Sequence, residues 1–342
     1  MLTLLVALLG ALVPTVLYIL FIWWLDRYEK EPLSLLALAF LWGALPAAFV
    51  SIVLEVLFDI PVQAMGGESL IASLVSVSVG APLIEESTKG IALVGLVLLF
   101  RHEFDNVLDG IIYGAMIGFG FAMTENLVGY FLPILQAEGM EAGLINILLR
   151  TVVFGFNHAF WTGITGAAVG YARLTPTGMG RWIVPVGGWA LAVLLHAIHN
   201  TGVTLLEQTI CLSVLVSLVV DWGGLMLLLA VAFFWLRKES QWIERGLYEE
   251  VRSGLITPEE WDLLRSAARR FWFRWEVRGR GGRDAYHAIG RYYQCATELA
   301  FKKQHLRTLG EESGNLAEVH RLREQFKNSR SFALTWLGLE KS

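Results

Sequence analysis

Residues 70–100 read LIASLVSVSVGAPLIEESTKGIALVGLVLLF. A helix needs about 20 residues to cross a bilayer, and this run is longer. Yet Glu85, Glu86 and Lys89 stand in its middle. A charge at the bilayer centre costs about 3 kcal/mol on insertion scales. Three ionisable groups within five residues therefore mark a structural ion pair, a transport station or a catalytic site.

The rest of the chain has the same apolar character. It is 342 residues long and 55% hydrophobic, with a mean hydropathy of +0.54. That composition belongs to a membrane protein. Apolar runs at 3–24, 33–57, 69–100, 107–135, 143–172, 183–205 and 212–236 give seven crossings. Residues 1–236 hold 7 of the 27 basic and 16 of the 31 acidic side chains. The expected organisation is an all-α membrane domain over 1–236 and a basic, helical cytoplasmic tail over 237–342. Residues 1–24 have no basic leader and no small-residue cleavage site, so they read as a retained first span.

Loop charge orients the bundle. The gaps 58–68, 136–142 and 206–211 carry Asp59, Glu68, Glu138, Glu141 and Glu207 but no Lys or Arg. The alternate gaps carry Arg27 and Lys30, then Arg101, then Arg173 and Arg181. The positive-inside rule then puts the N-terminus outside and the C-terminus in the cytoplasm. Cys211 and Cys295 fall on opposite sides by this reading, which excludes a disulfide.

In the tail, ITPEEWDLL is a capping box with Thr257 as cap, Pro258 at the first helical position and Glu260 at the third. Around it the tail reads as short amphipathic helices. RRFWFRWEVRGRGGR mixes arginines with aromatics, which suits anionic lipid headgroups, or a cytoplasmic partner, better than nucleic acid.

The polar residues deep in spans share a level. Glu85, Glu125, His158, His196 and Asn200 lie 13 to 18 residues from the cytoplasmic ends of their spans. That is about 20–27 Å of helix at 1.5 Å per residue. Scattered ion pairs have no reason to share a depth, whereas one site does. Gly110, Gly114 and Gly118 recur every four residues and lead to Glu125; His158, Thr162, Gly166 and Gly170 do the same. Small-residue faces let backbones approach closely in lipid, so Glu125 and His158 should face into the bundle.

Plainer readings compete. A helix-internal salt bridge explains Glu85 with Lys89 but leaves Glu86 over. A lone intramembrane histidine is ordinarily a hydrogen-bonded core residue; two at the depth of three carboxylates read as a site. His199 falls on another face and reads as packing, Arg150 as snorkelling near the outer interface, and Asp221 as a lone helix-bonding group. HEFDN at 102–106 lacks the second histidine of a zincin motif, and no GxSxG or P-loop occurs.

The motifs together have a counterpart. EESTK (85–89), FAMTEN (121–126), HAFWTG (158–163) and HAIHN (196–200) follow in order on separate spans, with DRYEKEP (26–32) after the first. Over residues 15–265 the chain resembles the PrsW family of intramembrane proteases and is distantly similar to CAAX prenyl endopeptidases. The resemblance implies an all-helical membrane endopeptidase of the cell membrane. The family role is the first cut in a membrane-anchored anti-sigma factor. By position it makes Glu85, Glu86, Glu125, His158, His196 and Asn200 the catalytic candidates, with Lys89 in support. The CAAX relatives carry histidine where Glu125 stands, and Trp161 replaces a common phenylalanine.

Peptide hydrolysis needs an activated water, a stabilised oxyanion and a proton for the leaving amine. Glu85 or Glu86 is the candidate base, the first favoured. His158 and His196 would position water and shuttle the proton, Asn200 would stabilise the oxyanion and Glu125 would orient a histidine. A zinc site drawing on His158, His196 and Glu125 is the alternative. A CAAX-type endopeptidase, a proton-coupled transporter and a non-catalytic scaffold remain open at this level. The transporter predicts flux without cleavage, and the scaffold predicts that Glu85 and His158 are dispensable.

Overall fold

A computed structural model describes residues 1–342 except 29, 68, 101, 102, 105, 176, 177, 207, 210, 312, 313 and 338–342. Glu68, Arg101 and Glu207 of the charge pattern, Glu29 of DRYEKEP, and His102 and Asp105 of HEFDN lie outside the described residues. Among the described residues, seven helices are long and apolar enough to cross a membrane: α1 (Leu2–Leu25), α2 (Leu33–Gly66), α3 (Leu70–Leu99), α4 (Val107–Ala137), α5 (Met140–Arg173), α6 (Gly180–Thr204) and α7 (Leu212–Arg252). No strand occurs among the described residues. The second span runs on through Pro61 to Gly66, so Asp59, expected in a loop, belongs to a helix. Two compact units divide the chain, Met1–Leu25 with Glu31–Ala232 and Asp26–Lys30 with Phe233–Ser342.

In the first unit α4 is the central helix. Its apolar window is 89% buried, against 17–39% for the other six. Glycine makes this possible. A Cβ at Gly110 would lie 2.0 Å from the Gly166 carbonyl oxygen, and one at Gly118 would lie 2.4 Å from that of His158. The four-residue glycine ladder of α4 thus meets its counterpart on α5 backbone to backbone. Asn106 caps α4 through a reciprocal capping box with Asp109.

Four helices contain a stretch wound wider than α, at Gly43–Ala47, Leu74–Gly80, Glu125–Phe131 and Leu149–Val153. Proline explains several. Pro46 lies within the first, Pro82 follows the second and Pro133 follows the third, each removing a backbone N–H from the helical ladder. Such π-type turns frequently lie at functional sites. Here one precedes Glu85, one begins at Glu125 and one carries Arg150.

The second unit is built from the end of α7 with α8 (Pro258–Leu264), α9 (Ala267–Leu309) and α10 (Asn315–Leu337). The capping box of α8 forms as the sequence indicates. The expected short helices are instead long. α9 has 43 residues, bent at Gly282 (φ 69°), and α10 has 23. Buried glutamates tie them together: Glu250 to Lys303 and Arg323, Glu260 to Arg330 and Tyr292. Arg270 is buried among Tyr28, Tyr293 and Thr297, and burial pushes its guanidinium down to about 10. Both cysteines are free.

Candidate active site

The site grows from one turn of α3. Glu85 and Glu86 precede Lys89 by four and three residues, so the ammonium reaches both, Glu85 Oε2 at 3.0 Å and Glu86 Oε1 at 2.8 Å. Its third proton is directed at His158 Nδ1, 2.9 Å away, and the Phe121 ring lies 3.8 Å from Nζ. All three ammonium donors are used, and Lys89 is wholly buried.

The neighbouring helices complete the set. Glu86 Oε2 accepts from Thr162 of α5, and Oε1 lies 3.3 Å from His196 Nδ1 of α6. A carboxylate accepts only, so His196 carries its proton on Nδ1. Trp161 stacks flat on the His196 ring at 3.8 Å. His158 Nε2 lies 2.9 Å from Glu125 Oε2, so that nitrogen donates and Nδ1 keeps its lone pair for the cluster. Glu125 is held in turn by Arg150 at 2.8 Å, whose guanidinium lies over the Tyr130 ring at 3.5 Å. Arg150, expected to snorkel outward, instead turns inward to this carboxylate, because the charge is far better satisfied there than in lipid.

Six of the candidates, Glu85, Glu86, Lys89, Glu125, His158 and His196, thus meet in one network. Asn200 stands apart from it: its amide donates to the Val77 carbonyl at 2.8 Å, in the wide turn before Glu85. It borders the same cavity, of about 710 Å³, as Glu85, Glu125, His158 and His196. Glu86 and Lys89 lie behind that wall. Glu55 and Asp59 of α2 also line the cavity, and Glu55 Oε1 is buried without a hydrogen-bond partner among the described residues. Glu55 was overlooked in the sequence; its signal was a lone carboxylate in SIVLEVLF, one helical turn before Asp59.

Donor atoms of Glu85, Glu86, His158 and His196 lie within 4.8 Å of one another. Zinc takes nitrogen and carboxylate ligands at about 2.0–2.2 Å, so this set is compatible with it after a small contraction. Glu125 is outside the set and acts on it through His158. A carboxylate that orients a ligating histidine is the usual outer partner of a metal site. Lys89 lies among the same donors and supplies positive charge there.

Carboxylates and histidines gathered beside a cavity in a polytopic helical bundle are the groups that an intramembrane hydrolase needs. The model of the PrsW family of intramembrane metalloproteases matches residues 31–236, and the chain belongs to that family. It is an intramembrane peptidase and a multi-pass protein of the cell membrane. It is 29% identical over 226 residues to protease PrsW of Geobacillus kaustophilus, covering 63% of this chain and 83% of the relative. It is 28% identical over 205 residues to protease PrsW of Bacillus subtilis, covering 58% and 84%. Against protease PrsW of Clostridioides difficile the identity is 33% over 121 residues, covering 35% and 49%. No solved structure matches.

Proposed function

We propose that this protease makes the first cut in a membrane-anchored anti-sigma factor or a similar single-span protein, with Glu85 as general base. The observation that carries the reading is the division of labour between the two glutamates. Glu85 borders the cavity, while Glu86 is sealed against Lys89, His196 and Thr162. Glu85 takes the proton from water, Glu86 fixes His196, and Glu125 fixes His158. Asn200 lies on the cavity wall where its amide can face a developing oxyanion. Zinc suits the donors Glu86, His158 and His196, which would hold it and leave Glu85 free as the base; bound there, it would polarise the carbonyl and acidify water.

The side from which water comes supports a first-site cut. Polar cavity residues Asp59, Gln63, Ser73, Ser76, Asn146 and Thr204 lie toward the helix ends that share a face with Met1. By the positive-inside rule that face is outside. In the tail, exposed Phe271, Trp272 and Trp275 beside Arg269, Arg278 and Arg280 suit anionic headgroups.

The test is co-expression with a tagged single-span anti-sigma substrate. Cleavage by wild type, and its loss in inserted Glu85→Gln, Glu86→Gln, His158→Ala and His196→Ala, is expected. Equal processing by all five would remove the assignment.

A further inference from the structure

A second polar cluster borders the cavity. His199 of α6 lies 2.6 Å through Nδ1 from Asp221 Oδ2 of α7. Asn157 of α5 donates to the same oxygen at 3.0 Å. Asp221 is 2% exposed, Phe154 lies edge-on to the His199 ring at 4.9 Å, and Trp161 touches it at 5.4 Å. From the sequence His199 reads as packing and Asp221 as a lone group; the structure joins them.

The bond to a carboxylate fixes the tautomer. Nδ1 donates to Asp221 at 2.6 Å, so the Asn157 amide nitrogen, 3.2 Å from the same Nδ1, is a contact and not a bond, and Nε2 is an acceptor. His199 lines the cavity, and among the described residues its Nε2 has no hydrogen-bond partner and is not sealed off. The Asn157–Asp221 bond joins α5 to α7, and a purely structural His199 would need only its own bond to Asp221 to add α6. A ring held by a carboxylate and two aromatics, with one nitrogen left to the cavity, does more than that.

The substrate supplies the reason. A peptide bond inside a transmembrane helix is closed to attack until the helix opens. Opening frees backbone N–H groups, each costly away from water. The cavity must therefore offer acceptors. Those of Glu86, Glu125 and His158 are claimed by Lys89, His196 and Arg150 and by one another, and the unpartnered Glu55 Oε1 and Asn146 Oδ1 are buried from the cavity space. We propose that His199, oriented by Asp221, anchors the opened substrate backbone by accepting one of its freed N–H groups. This rests on the cavity being where substrate binds.

The test is binding, independent of turnover and of the natural substrate. Two fluorescent single-span peptides are compared on the full chain in nanodiscs. One is a continuous Leu–Ala helix, and the other is the same helix broken by a central Gly-Ser-Gly. Wild type should bind the broken peptide about ten-fold more tightly, the worth of one hydrogen bond. His199→Gln, which keeps an acceptor, should retain most of that preference. His199→Ala and Asp221→Ala should each abolish it, and the double variant should add nothing. The proposal is overturned if wild type shows no preference, or if His199→Ala keeps it. A purely structural role would weaken both peptides equally and lower the thermal midpoint, which also overturns it.

Discussion

Replacing Gly118 by alanine puts a methyl carbon 2.4 Å from the carbonyl oxygen of His158 and 2.6 Å from the amide nitrogen of Ala159. Backbone cannot swing aside like a side chain. To restore ordinary contact near 3.4 Å, α5 must retreat from α4 by about 1 Å at that level, and overpacking of this kind costs about 1–3 kcal/mol. The residue carried away is His158, whose ring must reach both Glu125 and the cluster around Glu85. A displacement of about 1 Å in a reacting group costs about 100-fold in rate. Gly118→Ala should therefore insert normally, lose modest thermal stability and lose about 100-fold in kcat/KM on a cleaved single-span substrate. Gly95→Ala is the control, because a Cβ there meets nothing within 4 Å. Gly110→Ala should lose comparable stability with a smaller kinetic loss, since its clash with Gly166 lies two turns from the site. Gly118→Ala cleaving at the wild-type rate would refute the claim that the glycine ladder sets the position of His158.

Glu125→Gln removes the charge that orients His158 and pairs with Arg150; cleavage should fall about 10- to 100-fold, as for other outer partners of site histidines. Wild-type rates in that variant would make Glu125 a structural ion pair. The two cysteines test orientation directly. Cys211, exposed before α7, should label with a membrane-impermeant maleimide added to intact cells. The positive-inside rule predicts that Cys295 stays unlabelled, on the opposite side, and burial pushes its thiol up as well. Labelling of Cys295 alone would invert the topology.

The spans were legible because lipid leaves the chain few choices: each backbone polar group must be satisfied within a helix. The Glu85–Lys89 turn was legible for the same local reason, since helical spacing fixes which side chains meet. So was the α4–α5 seam, written in glycines. What escaped depends on rotation of one helix against another. Nothing in FAMTEN says that Glu125 meets the far nitrogen of His158 while Glu86 takes His196. Arg150 looked interfacial by count, but a wide turn at Leu149–Val153 rotates it inward. Hydropathy falls after residue 57, which points Asp59 to a loop, whereas the helix continues to Gly66. Asp221 and His199 are adjacent only because α6 and α7 pack together, a contact with no trace at the level of either motif.

Lys89 remains the residue whose chemistry most needs a physical account. It is 0% exposed, and it lies 2.8–3.0 Å from both glutamates and from His158, three of the four residues of the candidate metal set. Two buried carboxylates in adjacent positions repel unless a cation is near. In the protein without metal that cation is the lysine. Lys89→Met should therefore cost about 3–5 kcal/mol in chelator, the usual penalty for orphaning a buried charge. Wild type should also gain from zinc in a thermal melt, as any ion bound to the native state requires, but by less, because Lys89 already balances the charge and competes for the same donors. Lys89→Met should recover much of its loss when zinc is added, since a divalent ion can then take the same donors without competition. The asymmetry between the two melts is the diagnostic. If Lys89→Met melts with wild type in chelator, the lysine does not neutralise the pair. If it melts low and zinc leaves it there, the four donors do not bind the ion, and Glu85 must activate water through the protein's own charges alone.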